Sequence, residues 1–453
     1  MRTLGLKFLI SMTSVAALTL SGCGGSSSDD DTSSFEYSYI QFYNGVANSK
    51  STLATLTDND DADSSIGSAS YADVTSMVTV TPDTEYLLNL SYADEDGQQI
   101  DFAEQDIKLV TSHRQLVMFV GDYENPQLIT IDHLREDLDN EFRLFFVNTT
   151  SKVVPLEILV AEVGDGIEDA VTVGNISFGN VIESDVFDLA EYHIFIVNAD
   201  TGEQIFDSEG INFIYSTEYV VVLKDTFGPS QSQIALDVIT SSTSVYEYDD
   251  LSALAEFRLY NAEKDVGDLN VSISGNTPVT LNEIEPLSMT DFNTVEFGDY
   301  QFSIQTDSLS AKNMLLTLNQ NESKTMIVYR DQALGMRAVN FAQNRVSSSY
   351  QHVLKIVNLI DDFDDVQVYF VKEDETIDTA DEYITGLSFA DVNSKVLTSN
   401  SYNILLVHED DNTNQVTLLA RMDNVTLGAT SELILIADEG DESAGDYELT
   451  LIE

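Results

Sequence analysis

The sequence predicts an all-β chain of four tandem antiparallel β-sandwich domains of about 100 residues each, and three observations lead there. An opening segment recurs: "IQFYN", "LFFVN", "FRLYN" and "LKIVN" end on Asn44, Asn148, Asn261 and Asn358, at steps of 104, 113 and 97 residues. Apolar residues elsewhere fall at alternate positions or in short continuous runs, the rhythm of strands. The i, i+3, i+4, i+7 spacing of helices is scarce, and its best short example is "DHLREDLDNEF", residues 132–142.

The chain begins with Arg2 and Lys7 before a largely apolar stretch over residues 8–20, which has the build of an export signal and is too short to span a membrane. Leu20-Ser21-Gly22-Cys23 follows and resembles the bacterial lipoprotein lipobox. That resemblance implies a signal peptide over 1–22, cleavage between Gly22 and Cys23, and a diacylglyceryl group on Cys23, the single cysteine of the chain. Residues 23–37 then form the lipidated Cys and a flexible tether, because "GGSSSDDDTSS" over 24–34 holds no apolar side chain. Gly24 after the lipidated Cys implies the outer membrane, on its periplasmic face or at the cell surface. With one cysteine there is no internal disulfide, so stability must come from core packing.

Four units follow, over 38–135, 136–245, 246–348 and 349–453. A Ser, a large apolar residue, a small one and an Asp or Asn recur in "SYADV", "SFGNV", "SMTDF" and "SFADV". Their Ser70, Ser177, Ser288 and Ser388 stand 26, 29, 27 and 30 positions after the opening Asn. A tyrosine then opens another strand at Tyr86, Tyr192, Tyr300 and Tyr402. Hydroxyl residues Ser112, Thr217, Ser323 and Ser431 precede the runs "LVMFV", "YVVVL", "MIVY" and "LILI". Each unit closes on a last strand, giving about seven short strands, the pattern of an immunoglobulin/transthyretin-like sandwich. The joints over 132–142, 241–256 and 343–351 are polar and short, which suggests linked domains with limited freedom.

The chemistry of the repeated residues is structural on its face. Asp73, Asn180, Asp291 and Asp391 exchange a carboxylate for an amide, which a hydrogen-bonded turn tolerates and acid–base catalysis does not. The bulky neighbours Tyr71, Phe178, Met289 and Phe389 keep size while changing polarity, as core positions allow. The strand-opening tyrosines suit a tyrosine corner, ring packed and hydroxyl on a backbone carbonyl. His113, His133, His193, His352 and His408 lie far apart in sequence, so their spacing predicts no zinc or copper site. No GxSxG, HExxH or phosphate-cradling glycine loop occurs, and the expectation is that the chain is not an enzyme.

The 78 acidic residues against 20 basic ones give a formal charge of -58, which repels nucleic acid and anionic lipid surfaces. The acid gathers in "DNDDAD" at 58, "DEDG" at 94, "DDFDD" at 361, "HEDDN" at 408 and "DEGDESAGD" at 438. Such loops are chemically suited to calcium, although twelve positions counted from Asp58 end on Ala69 where an EF-hand needs Glu. Solvated charge that also blocks edge-to-edge strand pairing is the simpler account, with no cofactor required.

The passage "SASYADVTSMVTVTPDTEYLLNLSYAD", residues 68–94, resembles the middle of the DUF4397 family of exported β-sandwich domains. There a Ser-aromatic step and a strand lead to a turn and a Tyr that starts the next strand, matched here by Ser70, Tyr71, Pro82 and Tyr86. "TVEFGDYQFSI", with Gly298 and Asp299 before Tyr300, shows the same turn. Where that family often carries a His-Ala-Ser-Pro-like stretch, this chain has "NGVANS", "NTTSKV", "NAEKDV" and "NLIDDF", so no function attached to that stretch carries over. The resemblance implies fold and compartment, since the family has no agreed activity. The expected function is a non-catalytic binding or scaffold lipoprotein of the cell envelope, with an envelope or extracellular protein or glycan as partner. The alternatives are a calcium-stiffened surface adhesin and an envelope hydrolase.

Overall fold

The computed structural model describes residues 37–453 apart from 61, 95–96, 123–124, 153, 241, 347–349, 411–412, 429–431, 441–445 and 453. Gly22, Cys23, the signal peptide, nearly all of the tether and Ser431 therefore lie outside the described residues. Apart from one 3-10 turn at Ile167–Asp169, the regular structure of the described residues is all strand, arranged as four β-sandwiches of two sheets each.

In the first sandwich one sheet orders its strands Asp73–Val74, Ser38–Asn44, His113–Asp122, Asn125–Leu134, with Val78–Val80 also on Ser38–Asn44. The other orders Asp63–Ala69, Thr52–Thr57, Glu85–Ala93, Gln99–Lys108. The same two four-strand orders recur three more times, the second sandwich adding Val245–Tyr248 beyond Ile234–Ile239 and Ile211–Asn212 on Glu191–Asn198. The third and fourth sandwiches each hold eight strands, one more than the spacing of landmarks suggests, because the stretch between the opening strand and the tyrosine strand folds as three strands.

One pairing in each sandwich is parallel. The opening strand lies alongside the apolar run in the same direction, with Phe42 opposite Val117, Phe146 opposite Val221, Tyr260 opposite Ile327 and Ile356 opposite Leu435. Every other pairing of these strands is antiparallel. After its opening strand the chain adds two strands to the second sheet, comes back antiparallel beside the opening strand, adds the second sheet's other strands, and returns in the original direction, which is what a parallel neighbour requires.

Two expectations are corrected. Residues 132–142 hold no helix; Asn125–Leu134 runs into them as a strand, an irregular link with a bend at Asn140 follows, and Glu141–Asn148 begins. Sheet pairing takes up the backbone there, His113 opposite Leu134 and Glu141 opposite Asp188, while Leu138 and Phe142 are buried. The boundary at 245 also moves, because Val245–Tyr248 pairs with Ile234–Ile239 and so belongs to the second sandwich.

Each sandwich encloses its own core, centred on residues such as Phe42, Phe146, Phe302 and Phe370. Two further buried clusters lie between sandwiches. Tyr43, Met118 and Val120 of the first pack with Phe145, Val147 and Val222 of the second, and Tyr260, Ile327 and Tyr329 of the third pack with Val357, Ile434 and Ile436 of the fourth. The first sheets are therefore buried on both faces, which explains why "LVMFV", "YVVVL", "MIVY" and "LILI" are continuous rather than alternating. The limited freedom expected of the joints has a structural cause: the first and second sandwiches share a buried seam, and so do the third and fourth.

Candidate functional site

The recurring polar residues come first, because a site repeated four times would use them. Asn44, Asn148, Asn261 and Asn358 are all at most 1% exposed. Their Oδ1 atoms accept main-chain N–H groups two residues on, from Val46 at 3.1 Å, Thr150 at 2.9 Å, Glu263 at 3.0 Å and Ile360 at 3.0 Å. Nδ2 of Asn44, Asn261 and Asn358 donates to the carbonyls of Ala69, Ile284 and Leu387 at 3.2, 3.1 and 2.9 Å. The amide thus pins the end of the opening strand to the far end of another strand.

The corner motif follows that pin. Ala72, Gly179 and Ala390 have φ of 58°, 76° and 62°, and each donates its N–H to the carbonyl of the unit's opening Asn. In the third sandwich Leu287, at φ 55°, plays that part by donating to Asn261. The register read from "SMTDF" is therefore corrected by three residues: Glu285 and Ser288 occupy the places of Ser70 and Asp73, and Asp291 lies beyond the corner. Thr75 and Thr290 confirm the alignment, their hydroxyls accepting the N–H groups of Phe42 and Leu259 at 3.0 Å each. Carboxylates at the corner accept nearby N–H groups, Asp73 from Val74 and Asp391 from Ser388, rather than from two residues on.

The bulky corner residues are not in the sandwich cores as expected. Phe389 meets the Tyr329 ring edge-on at 5.5 Å across the seam between the third and fourth sandwiches, with Met289 packed in the same cluster. Tyr71 lies beneath Lys224 of the second sandwich at 5.7 Å, and Phe178 is 40% exposed. Tyr71 and Phe389 thus face neighbouring sandwiches, where their bulk fills the seam.

All four strand-opening tyrosines donate to a backbone carbonyl: Tyr86 to Thr81 at 3.3 Å, Tyr192 to Asp188 at 2.9 Å, Tyr300 to Glu296, and Tyr402 to Thr398 at 3.1 Å. Tyr300→Phe is expected to leave the third sandwich folded but about 1 kcal/mol less stable, the net worth of one such bond. Calorimetry of the full chain reads this directly, and an unchanged melting temperature would remove the bond from the account.

A polar cluster that no local motif announces lies in the seam between the first and second sandwiches. The Tyr43 hydroxyl donates to Asp237 Oδ2 at 2.6 Å, and Lys224 Nζ stands 2.8 Å from Asp237 Oδ1 and contacts Glu247. Burial pushes the Asp237 carboxyl up against the opposing pull of Lys224. For Lys224 burial works downward, but Asp237 and Glu247 outweigh it and raise the ammonium. Nearby, buried Arg114 pairs with Glu218 at 3.4 Å, and His133 stacks on Phe145 at 4.4 Å with its pKa lowered by burial to about 4. The signal for this seam was polar residues inside apolar runs, Lys224 after "YVVVL" and Asp237 within "IALDVI".

Among the described residues of the acidic runs, those of two runs come together. Asp361, Asp362 and Glu439 can each present a carboxylate oxygen within 4.8 Å of the others, at a cleft of about 560 Å³ that also includes Lys264 and Arg330. Burial and the two aspartates push Glu439 up, and burial lifts neighbouring Asp438 to about 7. Lys264 reaches across from the third sandwich to the Glu439 carbonyl and the Glu448 carboxylate. Among the described residues, the calcium alternative rests on these three exposed carboxylates. The histidines are held separately: His113 on Asp132, His193 on Asp207, His352 on Ser399 and His408 on the Asp365 carbonyl.

No protein-family model matches this sequence, and no curated protein matches it. Among solved structures, a crystal structure described as that of a "putative adhesin" from Bacteroides ovatus is similar over 47% of this chain and 94% of its own, with 9% identity and a TM-score of 0.16. The fold assignment above rests on the strand order alone.

Proposed function

We propose that the chain is an exported envelope lipoprotein, held at the outer membrane through Cys23, that acts as a non-catalytic binding or scaffold protein built of DUF4397-like sandwiches. The observation that carries this reading is the use made of the repeated polar residues. The opening asparagines, the corner residues and the tyrosines direct their hydrogen bonds to the main chain of their own sandwich. What is repeated thus builds the scaffold, and what differs between copies is the outer surface available to a protein or glycan. The buried seams support the same reading, because they fuse sandwiches into larger blocks.

Cells expressing the full chain and its Cys23→Ser variant test the anchor. The full chain is expected to take up labelled palmitate and sediment with outer membranes, and Cys23→Ser to lose both. Protease added to intact cells then separates surface from periplasmic display, and crosslinking identifies the partner. Unlabelled, soluble full chain would overturn the anchor; an activity abolished by point changes within one sandwich would overturn the non-catalytic role.

A further inference from the structure

Lys224 and Asp237 sit on neighbouring antiparallel strands, Glu218–Asp225 and Ile234–Ile239, and are 5% and 0% exposed. Glu247 stands directly across from Asp237 on the next strand, and Val222 directly across on the other side. The Tyr43 ring of the first sandwich covers the group, and Val220 and Ile239 belong to the same buried cluster. Lys224 Nζ is 2.8 Å from Asp237 Oδ1, yet that oxygen accepts no well-angled hydrogen bond, while Oδ2 holds the Tyr43 phenol at 2.6 Å. An amine nitrogen is therefore held against a carboxyl group that a phenol orients and polarises, with a second carboxylate in contact with the same nitrogen.

We infer that Lys224 and Asp237 condense into an intramolecular amide bond, with Glu247 carrying the proton. The proton of the ammonium passes to the buried Asp237 carboxylate, giving a neutral amine and a carboxylic acid, the form in which a low dielectric prefers such a pair when water is excluded. The Nζ lone pair attacks Cγ; Glu247 takes a proton from the attacking nitrogen and returns it to the departing hydroxyl. The Cγ–O bond breaks, the Cγ–Nζ bond forms, and one water leaves, so an ammonium and a carboxylate become a neutral amide with charge and atoms balanced. The paired charges keep the neutral form a minor one. A single irreversible turnover in the life of the molecule needs only that minor form, because the contact supplies the proximity and the water is lost to bulk.

Trypsin digestion of the denatured full chain decides the matter, since trypsin does not cut after an acylated lysine. In the sequence Lys224 is the one tryptic site between Lys152 and Arg258. The expected product is residues 153–258 as one peptide, about 18 Da lighter than its sequence, the mass of one water. Lys224→Arg is expected to show no mass loss, and Glu247→Gln to slow condensation by about 100-fold with its far-ultraviolet dichroism unchanged. Cleavage after Lys224 into 153–224 and 225–258 at their unmodified masses would overturn the bond. Condensation of Glu247→Gln at the rate of the full chain would remove Glu247 from the reaction.

Discussion

Ile327→Asp is expected to lower the stability of the block formed by the third and fourth sandwiches by about 4 kcal/mol, the scale of an unpaired charge placed in a buried site. Ile327 is fully buried, yet it does not belong to the third sandwich's own core; it packs in the seam with Tyr260, Tyr329, Ile434 and Ile436. The core around Phe257 and Phe302 is left intact by the change, so the β-sheet dichroism should survive at low denaturant. Urea unfolding of the full chain gives the magnitude, and limited proteolysis should show faster cleavage near 343–351, where the two sandwiches join. A loss below about 1 kcal/mol, typical of a surface substitution, would show that the face is open to solvent.

Asn358→Ala is expected to cost about 3 kcal/mol. The side chain is fully buried and serves two main-chain groups, the Ile360 N–H at 3.0 Å and the Leu387 carbonyl at 2.9 Å, and alanine leaves both buried and unpaired. Asn148 provides an internal comparison. Its Oδ1 accepts from the Thr150 N–H and hydroxyl, but its Nδ2 has no partner, so Asn148→Ala forfeits only the acceptor side and should cost about half as much. Chemical denaturation of the two variants side by side gives the order, and equal losses would mean that the donor bond to Leu387 contributes nothing.

What was legible in the sequence was whatever repeats with a fixed chemical demand. The opening Asn and the strand-opening Tyr recur because a main-chain partner must be met at the same place in each sandwich, and both were found. The corner was aligned in the first, second and fourth sandwiches and misaligned in the third. Its essential feature is a positive φ, which Ala72, Gly179, Leu287 and Ala390 supply with different side chains, so matching letters led to Ser288 instead of Glu285. The helix expected over 132–142 failed because its apolar spacing came from two separate tasks, the end of one sandwich and the start of the next. The seams were legible in part. Continuous runs such as "YVVVL" signal burial on both faces, but which sandwich covers which is not a property of any one segment. The Lys224, Asp237 and Glu247 cluster depends on strand order as well: a polar residue in or beside each apolar run is visible in the sequence, but that the three meet is not.

The parallel pair at the centre of each first sheet sets the order in which the molecule can assemble. Phe42 meets Val117 across 75 residues and Ile356 meets Leu435 across 79, so contact order within each unit is high and its central pairing must wait for nearly the whole unit to emerge. A chain synthesised from its N-terminus would complete the first sandwich while the apolar outer face of its first sheet, including Met118 and Val120, still lacks its cover. That face stays adhesive until the second sandwich closes over it, and the third then waits for the fourth in the same way. Nascent chains stalled after the first or third sandwich are thus the aggregation-prone species, and those stalled after the second or fourth are not.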